Sequence, residues 1–416
     1  MKIIKLLICV MFLAPFTQGA VWENEKEWNK EWEDKFSEWV RTEYSEDFYM
    51  VGKYKGIATD CADALYGARM IFAYENKLPF VIKDLTSSST SNKMISNEMS
   101  RYDEEATEMD RLMKFMRYVF NITNTRSLPF DTYPVQINRN YVRPGISWIR
   151  PRATAGNLFS GGSETPGHAD MVKEVKDTGV IYMIGSTVPQ ANRYLKITSG
   201  LVFMPESTRT GLRAWKSKET YLMDVESLPG YSQEQFTMGY YEVDQNSEDW
   251  YLNTDGKNRD LNSWTEAITK RLKLRDESKD EEIARYAANA CAYIKERVEV
   301  VLKSEKERAF MRRCMSEREY DLYSTPSRDA KIVKALKSMM DLKYDWFITS
   351  ESKVKSMKKY LTPDCRTLEY KPGKKVEMVN LMYDFLNGNV SSDPNQKLKA
   401  RWGLAREEAS SCKIYY

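Results

Sequence analysis

"IATDCADALYGARMIFA", residues 57–73, passes from a polar loop into a run of small and apolar residues, and its reading decides the fold. The run predicts a helix that starts at Cys61, with Asp60 placed to cap it. A cysteine in the first turn gains from the positive end of the helix dipole and from unpaired backbone N–H groups. Both favour a thiolate and can hold an oxyanion. Cys61 is therefore one half of a disulfide, a buried small side chain, or a nucleophile.

The cysteine count bears on that choice. The first twenty residues, "MKIIKLLICVMFLAPFTQGA", carry early lysines, an apolar run and small residues at a cleavage point, the pattern of a secretory signal peptide. The run is shorter than the ~20 apolar residues a membrane span requires, and no later segment is apolar enough, so no stable membrane insertion is expected. Export lets disulfides persist. Beyond Cys9 in the leader, the chain holds Cys61, Cys291, Cys314, Cys365 and Cys412. The last four fall in the C-terminal third, where they can pair in three ways, which leaves Cys61 as the odd thiol. Pairing of Cys61 with one of them, freeing another, stays open.

Composition excludes several functions. The 416 residues suit two or three domains, and 42% hydrophobic content is ample for a core. Sixty-three Lys and Arg against sixty Asp and Glu, without a basic block, lack the footprint of a nucleic-acid binder. One histidine and no CxxC pair leave no usual zinc set, and no Walker or dinucleotide glycine motif occurs, so no metal or cofactor is expected. Asn121-Ile122-Thr123 and Asn389-Val390-Ser391 fit the glycosylation pattern.

Along the chain, Trp22, Trp28, Trp32, Phe36 and Trp39 form a helical stripe, expected to pack on the body of the protein, the alternative being a stripe that grips a glycan or a partner. An apolar run "LPFVI" follows the Cys61 helix, then an exposed polar loop from Thr86 to Asn97, then an amphipathic helix with Met109, Leu112, Met113, Met116, Val119 and Phe120 on one face. Residues 127–167 read as loop with at most one short strand. From His168, "HADMVKEV", "VIYMIGSTV" and "YLKITSGLVFM" are β-rich runs separated by turns, an antiparallel meander. Residues 205–260 receive no assignment. Beyond residue 262 the chain is helical, with the strongest pattern in "DEEIARYAANACAYIKERVEVVL" and further runs at 304–319, 328–343 and 374–387.

The single histidine, His168, opens the first β-run. Thiolate hydrolysis needs a cysteine and an imidazole that accepts and returns its proton, and Cys61 with His168 is the pair available. "TDCADALYGARMIFA", followed by "PGHADMVKEVKDTGVIYMIGSTVP", resembles the NlpC/P60 and CHAP branch of the papain-like cysteine hydrolases over residues about 48–205. The resemblance implies a nucleophile at Cys61, a base at His168, and a polar residue on the next strand, for which Ser186 and Thr187 are the candidates. It further implies an aromatic near the substrate at Tyr54, with Tyr49 second, and a peptide or peptidoglycan substrate cleaved without a metal. Ala62 and Asp63 replace the family's usual Ser-Gly after the cysteine.

The expected protein is α+β: a papain-like core, its central helix packed on an antiparallel sheet, followed by a mainly helical C-terminal region. The expected segments are a signal peptide at 1–20, an amphipathic helix at 21–45, a papain-like domain at 46–260 with an insertion at about 85–150, and a disulfide-containing helical region at 261–416. The expected activity is amide or peptide hydrolysis through Cys61 and His168. The alternative is an inactive papain-like envelope protein that binds or scaffolds.

Overall fold

The computed structural model describes residues 19–86, 93–151, 167–201, 203, 205, 207–237, 261–310, 313–344, 350–406, 408 and 410–415. The leader up to residue 18, six residues of the polar loop, and the C-terminal part of "YSQEQFTMGYYEV" lie outside them. The chain is α+β with antiparallel sheets.

Helix α1 (Lys30–Thr42) starts on an Asn29 cap. Helix α2 (Cys61–Asn76) follows, and it is buried at every position from Cys61 to Tyr74. A helix apolar all round has no solvent face to keep and belongs inside. Its buried Arg69 is neutralised by Glu33 of α1 at 2.5 and 3.0 Å, and the guanidinium lies 3.3 Å from the Trp28 ring centroid. The tryptophan stripe thus serves the core, with Trp22, Trp28 and Phe36 buried around α2. Gly67 lets its neighbours close in, since a Cβ there would stand 2.7 Å from Tyr49 Oη and 3.2 Å from Phe120 of α3 (Glu108–Ile122).

Strand β1 (Val81–Lys83) pairs with β2 (Met94–Ser96), so the polar loop ends in a strand the sequence did not signal; Ile95 alone of its three residues is buried. After the short helix α4 (Leu128–Asp131) comes the main sheet. Its strands are β3 (Thr132–Pro134), β4 (Ser147–Arg150), β5 (His168–Val175), β6 (Ile181–Gly185), β7 (Lys196–Ser199) and β8 (Gly211–Trp215), in the order β3-β8-β4-β5-β6-β7. The β5-β6-β7 meander agrees with the sequence reading. The segment read as an insertion, 85–150, does not: it supplies β3 and β4, and β4 pairs with β5 and β8 inside the sheet. Three- and four-residue strands between prolines are too short to show an alternation.

Period-two alternation gives the sheet two apolar faces. Ala169, Met171, Ile184 and Leu195 meet α2 on one side. Trp148, Val172, Ile181, Met183 and Leu212 meet Trp264, Ala267, Ile268 and Leu272 of α6 (Leu261–Leu272) on the other, after the short helix α5 (Glu234–Thr237). The expected boundary at 260/261 therefore moves, because α6 covers the sheet.

The C-terminal region is built on α7 (Lys279–Arg308), which packs with α9 (Pro326–Lys343) and α11 (Met378–Leu386) around one core. Helices α8 (Glu317–Tyr323), α10 (Glu351–Ser356) and α12 (Leu398–Arg401) are short, and a hairpin of β9 (Thr367–Lys371) and β10 (Lys374–Glu377) interrupts the helices. Disulfides join Cys291 to Cys365 and Cys314 to Cys412, and Cys61 is free and buried.

Candidate functional site

Asp60 caps α2 as its sequence position suggests. Its Oδ1 accepts the Asp63 N–H at 3.0 Å, while Asp63 Oδ2 accepts the Asp60 N–H at 3.0 Å. Asp63 is 2% exposed and its Oδ2 also accepts from Gln190 Nε2 at 2.8 Å. Burial, then the charge of Asp60, push the Asp63 carboxyl up to about 7.

Cys61 occupies the first helical position, 4% exposed. The backbone N–H groups of Ala169 and Ala62 do favour its thiolate, as a helix start should. Burial outweighs them, and the charges of Asp60 and Asp170 act in the same direction as burial, so the thiol is pushed up to about 12. At pH 7 about one molecule in 10⁵ carries the thiolate.

His168 stands at the start of β5, next to the Ala169 N–H that reaches the sulfur, but its ring goes elsewhere. Ala169 packs on the α2 side. His168 and Asp170 alternate onto the opposite side, where His168 Nε2 lies 2.7 Å from Asp170 Oδ2 and the ring meets Phe203 edge-on at 6.5 Å. Among the described residues no hydrogen bond joins Cys61 to His168. The structure brings their backbones together and leaves their side chains apart.

The other expected site residues are engaged in packing. The Ser186 hydroxyl donates to the Thr59 carbonyl at 3.0 Å, so it does not orient His168. Tyr54 is 5% exposed, stacks on Phe48, and donates to Glu75 Oε1 at 2.8 Å, which leaves no face for a substrate. Tyr49 is fully buried. The carboxylate that holds the imidazole, Asp170, was missed in the sequence. The signal was the His-x-Asp spacing, which puts both side chains on one face of a strand. The four C-terminal cysteines pair with one another, and Cys61 is the odd thiol.

A large opening lies beside these residues. The segment 186–195, between β6 and β7, is fastened to the start of α2 by Ser186, by Gln190, by Thr59 N donating to Ala191 O at 3.0 Å, and by Asn192 Nδ2 donating to Tyr49 O at 2.7 Å. It walls a cleft of about 980 Å³, with Ala292, Val298 and Glu299 of α7 facing it and Met50 and Leu368 completing the apolar lining. At its floor Lys196 holds Glu296 at 2.9 Å, and Arg328 holds the same carboxylate at 3.1 Å. Despite burial, those two cations keep Glu296 down at about 2. Neither Cys61 nor His168 lines the cleft.

Among the described residues no group of three or more His, Cys, Asp or Glu side chains is arranged to hold a metal ion, and no helix is long and apolar enough to cross a membrane. No family model matches the chain, and no curated protein and no solved structure is similar to it.

Proposed function

We propose that this chain is an exported binding module on a papain-like scaffold, taking a peptide-like ligand in the cleft between segment 186–195 and α7. The two disulfides and the leader-like first twenty residues support export. The observation that carries the reading is the separation of functions at the site: the thiol is neutral and shut in, its imidazole is held by Asp170 on the other side of the sheet, and the open volume lies elsewhere. A cleft near the upper end of the usual 300 to 1,000 Å³ range, apolar with a few polar groups, is the expected form of a ligand site. Titration of labelled cell-wall peptides into the wild type and into Ala292→Trp, which fills the cleft from α7, tests it. Binding by the wild type and not by the variant is expected; equal binding by both overturns the site.

One observation favours the hydrolase as a second reading. His168 already carries a carboxylate partner on Nε2, and Cys61, at a helix N-terminus, receives the backbone N–H of Ala169, the residue that follows His168. Release of a new amine from cell-wall peptides, abolished in Cys61→Ser, is the result this reading requires.

A further inference from the structure

Arg193 stands in the wall of the cleft with a buried donor left unpartnered. The residue is 7% exposed. Its Nη2 donates to the Pro189 carbonyl at 2.6 Å and lies 3.5 Å from Glu299 Oε1. Of the five N–H donors of its guanidinium, the one on Nε is buried and without a partner among the described residues. A buried donor without a partner costs free energy, and native structures leave few of them.

Charge points the same way. Among the described residues Glu299 is the one carboxylate within ion-pair distance of Arg193, and it is closer to Lys303, at 2.9 Å. Glu299 is thus one carboxylate shared by two cations, although Glu46, Asp47 and Glu369 also line the cleft. Lys196, the next cation along, is already taken by Glu296. Arg193 is therefore the cation free to receive an incoming group, and a guanidinium is the side chain whose donor fork best matches a planar oxyanion.

We propose that Arg193 is the oxyanion anchor of the cleft, so that the ligand enters with a carboxylate, such as a peptide C-terminus, or a phosphate directed at the guanidinium. This rests on the binding reading above and specifies the chemistry of its ligand. Lys303, sharing Glu299, supports the anchor by leaving the guanidinium under-compensated. The apolar lining from Met50, Val298 and Leu368 takes the remainder of the ligand.

The test is calorimetric titration of the full chain with acetyl-Ala-Ala-Ala bearing a free C-terminal carboxylate, with the same peptide as its C-terminal amide, and with inorganic phosphate. The carboxylate form is expected to bind about tenfold or more tightly than the amide, the yield of one charge-assisted contact. In Arg193→Gln the two forms should bind alike, with the amide's affinity unchanged, and Arg193→Lys should fall between. Phosphate that competes with the acid in the wild type and not in Arg193→Gln shows that the site takes oxyanions generally; phosphate without effect assigns it to carboxylates. Because Arg193 also holds Pro189, the acid-against-amide comparison in the wild type stands independently of any loosening in the variants. Equal affinity of acid and amide for the wild type, with no binding of phosphate, removes the anchor and leaves the binding module standing. Failure of every probe, including cell-wall peptides, removes both.

Discussion

Asp170 Oδ1 occupies the space that a side chain at Gly185 would need: a Cβ built on Gly185 stands 2.0 Å from it. The glycine at the end of β6 is thus the seat of the carboxylate that holds His168. Gly185→Ala should displace Asp170, break its 2.7 Å contact with His168 Nε2, and cost about 1 to 3 kcal/mol, the usual penalty for a buried polar group that loses its partner. The chain has one histidine, so a single imidazole resonance reports the loss directly by nitrogen-detected NMR. An unchanged His168 imidazole resonance in a folded Gly185→Ala protein contradicts this account.

Cys61 should be nearly inert in the folded protein. With its thiol pushed up to about 12, against ~8.5 for a free cysteine, its thiolate is roughly a thousandfold scarcer at neutral pH, and 4% exposure slows reagents further. Iodoacetamide at pH 7 should therefore label it at least that much more slowly than a cysteine peptide, with the normal rate restored in urea. Labelling at the peptide's rate under native conditions would restore Cys61 as an active nucleophile.

Much of the fold was legible where pattern and chemistry were both local. The Cys61 helix, its Asp60 cap, the β5-β6-β7 meander and the long α7 each follow from a run long enough to show its period. The free state of Cys61 followed from counting cysteines under the assumption of export. Strands β3 and β4 were lost because they are short and owe their place to pairing with distant β8 and β5, which no local window contains. The site was misread for another reason. Residue order and the family resemblance paired Cys61 with His168, but which side of β5 the imidazole takes depends on register, and a shift of one residue exchanges the faces. The helix dipole at Cys61 was correctly signed and too small, since the full burial of α2 set the thiol's state.

Stability should fall as pH rises from about 4 to 7. Asp63 keeps its proton to about 7 in the folded state, against an ordinary value of 3.8, and fully buried Asp131 keeps its own to about 6. Between the ordinary and the raised values the folded state binds protons that the unfolded state has released, so the folded state gains at low pH and the gain is gone above pH 7. Urea midpoints at pH 5 and pH 7.5 should show the higher value at pH 5. Asp63→Asn, which can still accept from Gln190, should confine the remaining slope to the range below about pH 6. A midpoint that rises steadily from pH 4 to pH 7 in the wild type would show both carboxyls to be ionised throughout.

The disulfides should matter to the C-terminal region before the sheet. Cys291–Cys365 spans 74 residues and ties α7 to the turn before β9, and Cys314–Cys412 spans 98 and ties down the chain end. Loop-closure entropy gives each roughly 4 kcal/mol. In the Cys291→Ala/Cys365→Ala protein, hydrogen exchange should accelerate in α7, α9 and α11 while α2 and β4 to β6 keep their protection. Equal loss of protection in both regions would show that the two cores unfold as one.

Arg297 is the most heavily committed charge in the C-terminal core, and Asp329 is the partner on which it depends. The side chain of Arg297 is fully buried, with Nε 2.6 Å from Asp329 Oδ1 and Nη2 3.2 Å from Oδ2. Nη1 donates to Arg401 O at 2.8 Å, Nη2 to Ser391 O at 2.9 Å, and the guanidinium lies 4.7 Å from the Trp402 ring centroid. One residue thereby joins α7, α9 and α12. Removing either charge alone strands the other in a medium that cannot solvate it, so Asp329→Ala should cost about 3 to 5 kcal/mol. Replacing both with apolar residues of similar volume should cost less than Asp329→Ala alone, because it removes the uncompensated charge together with the pair. Denaturation midpoints of Asp329→Ala, Arg297→Met and the double variant Arg297→Met/Asp329→Leu decide it: a double variant less stable than either single one would mean that the carbonyl bonds of Arg297, and not its pairing with Asp329, hold the three helices together.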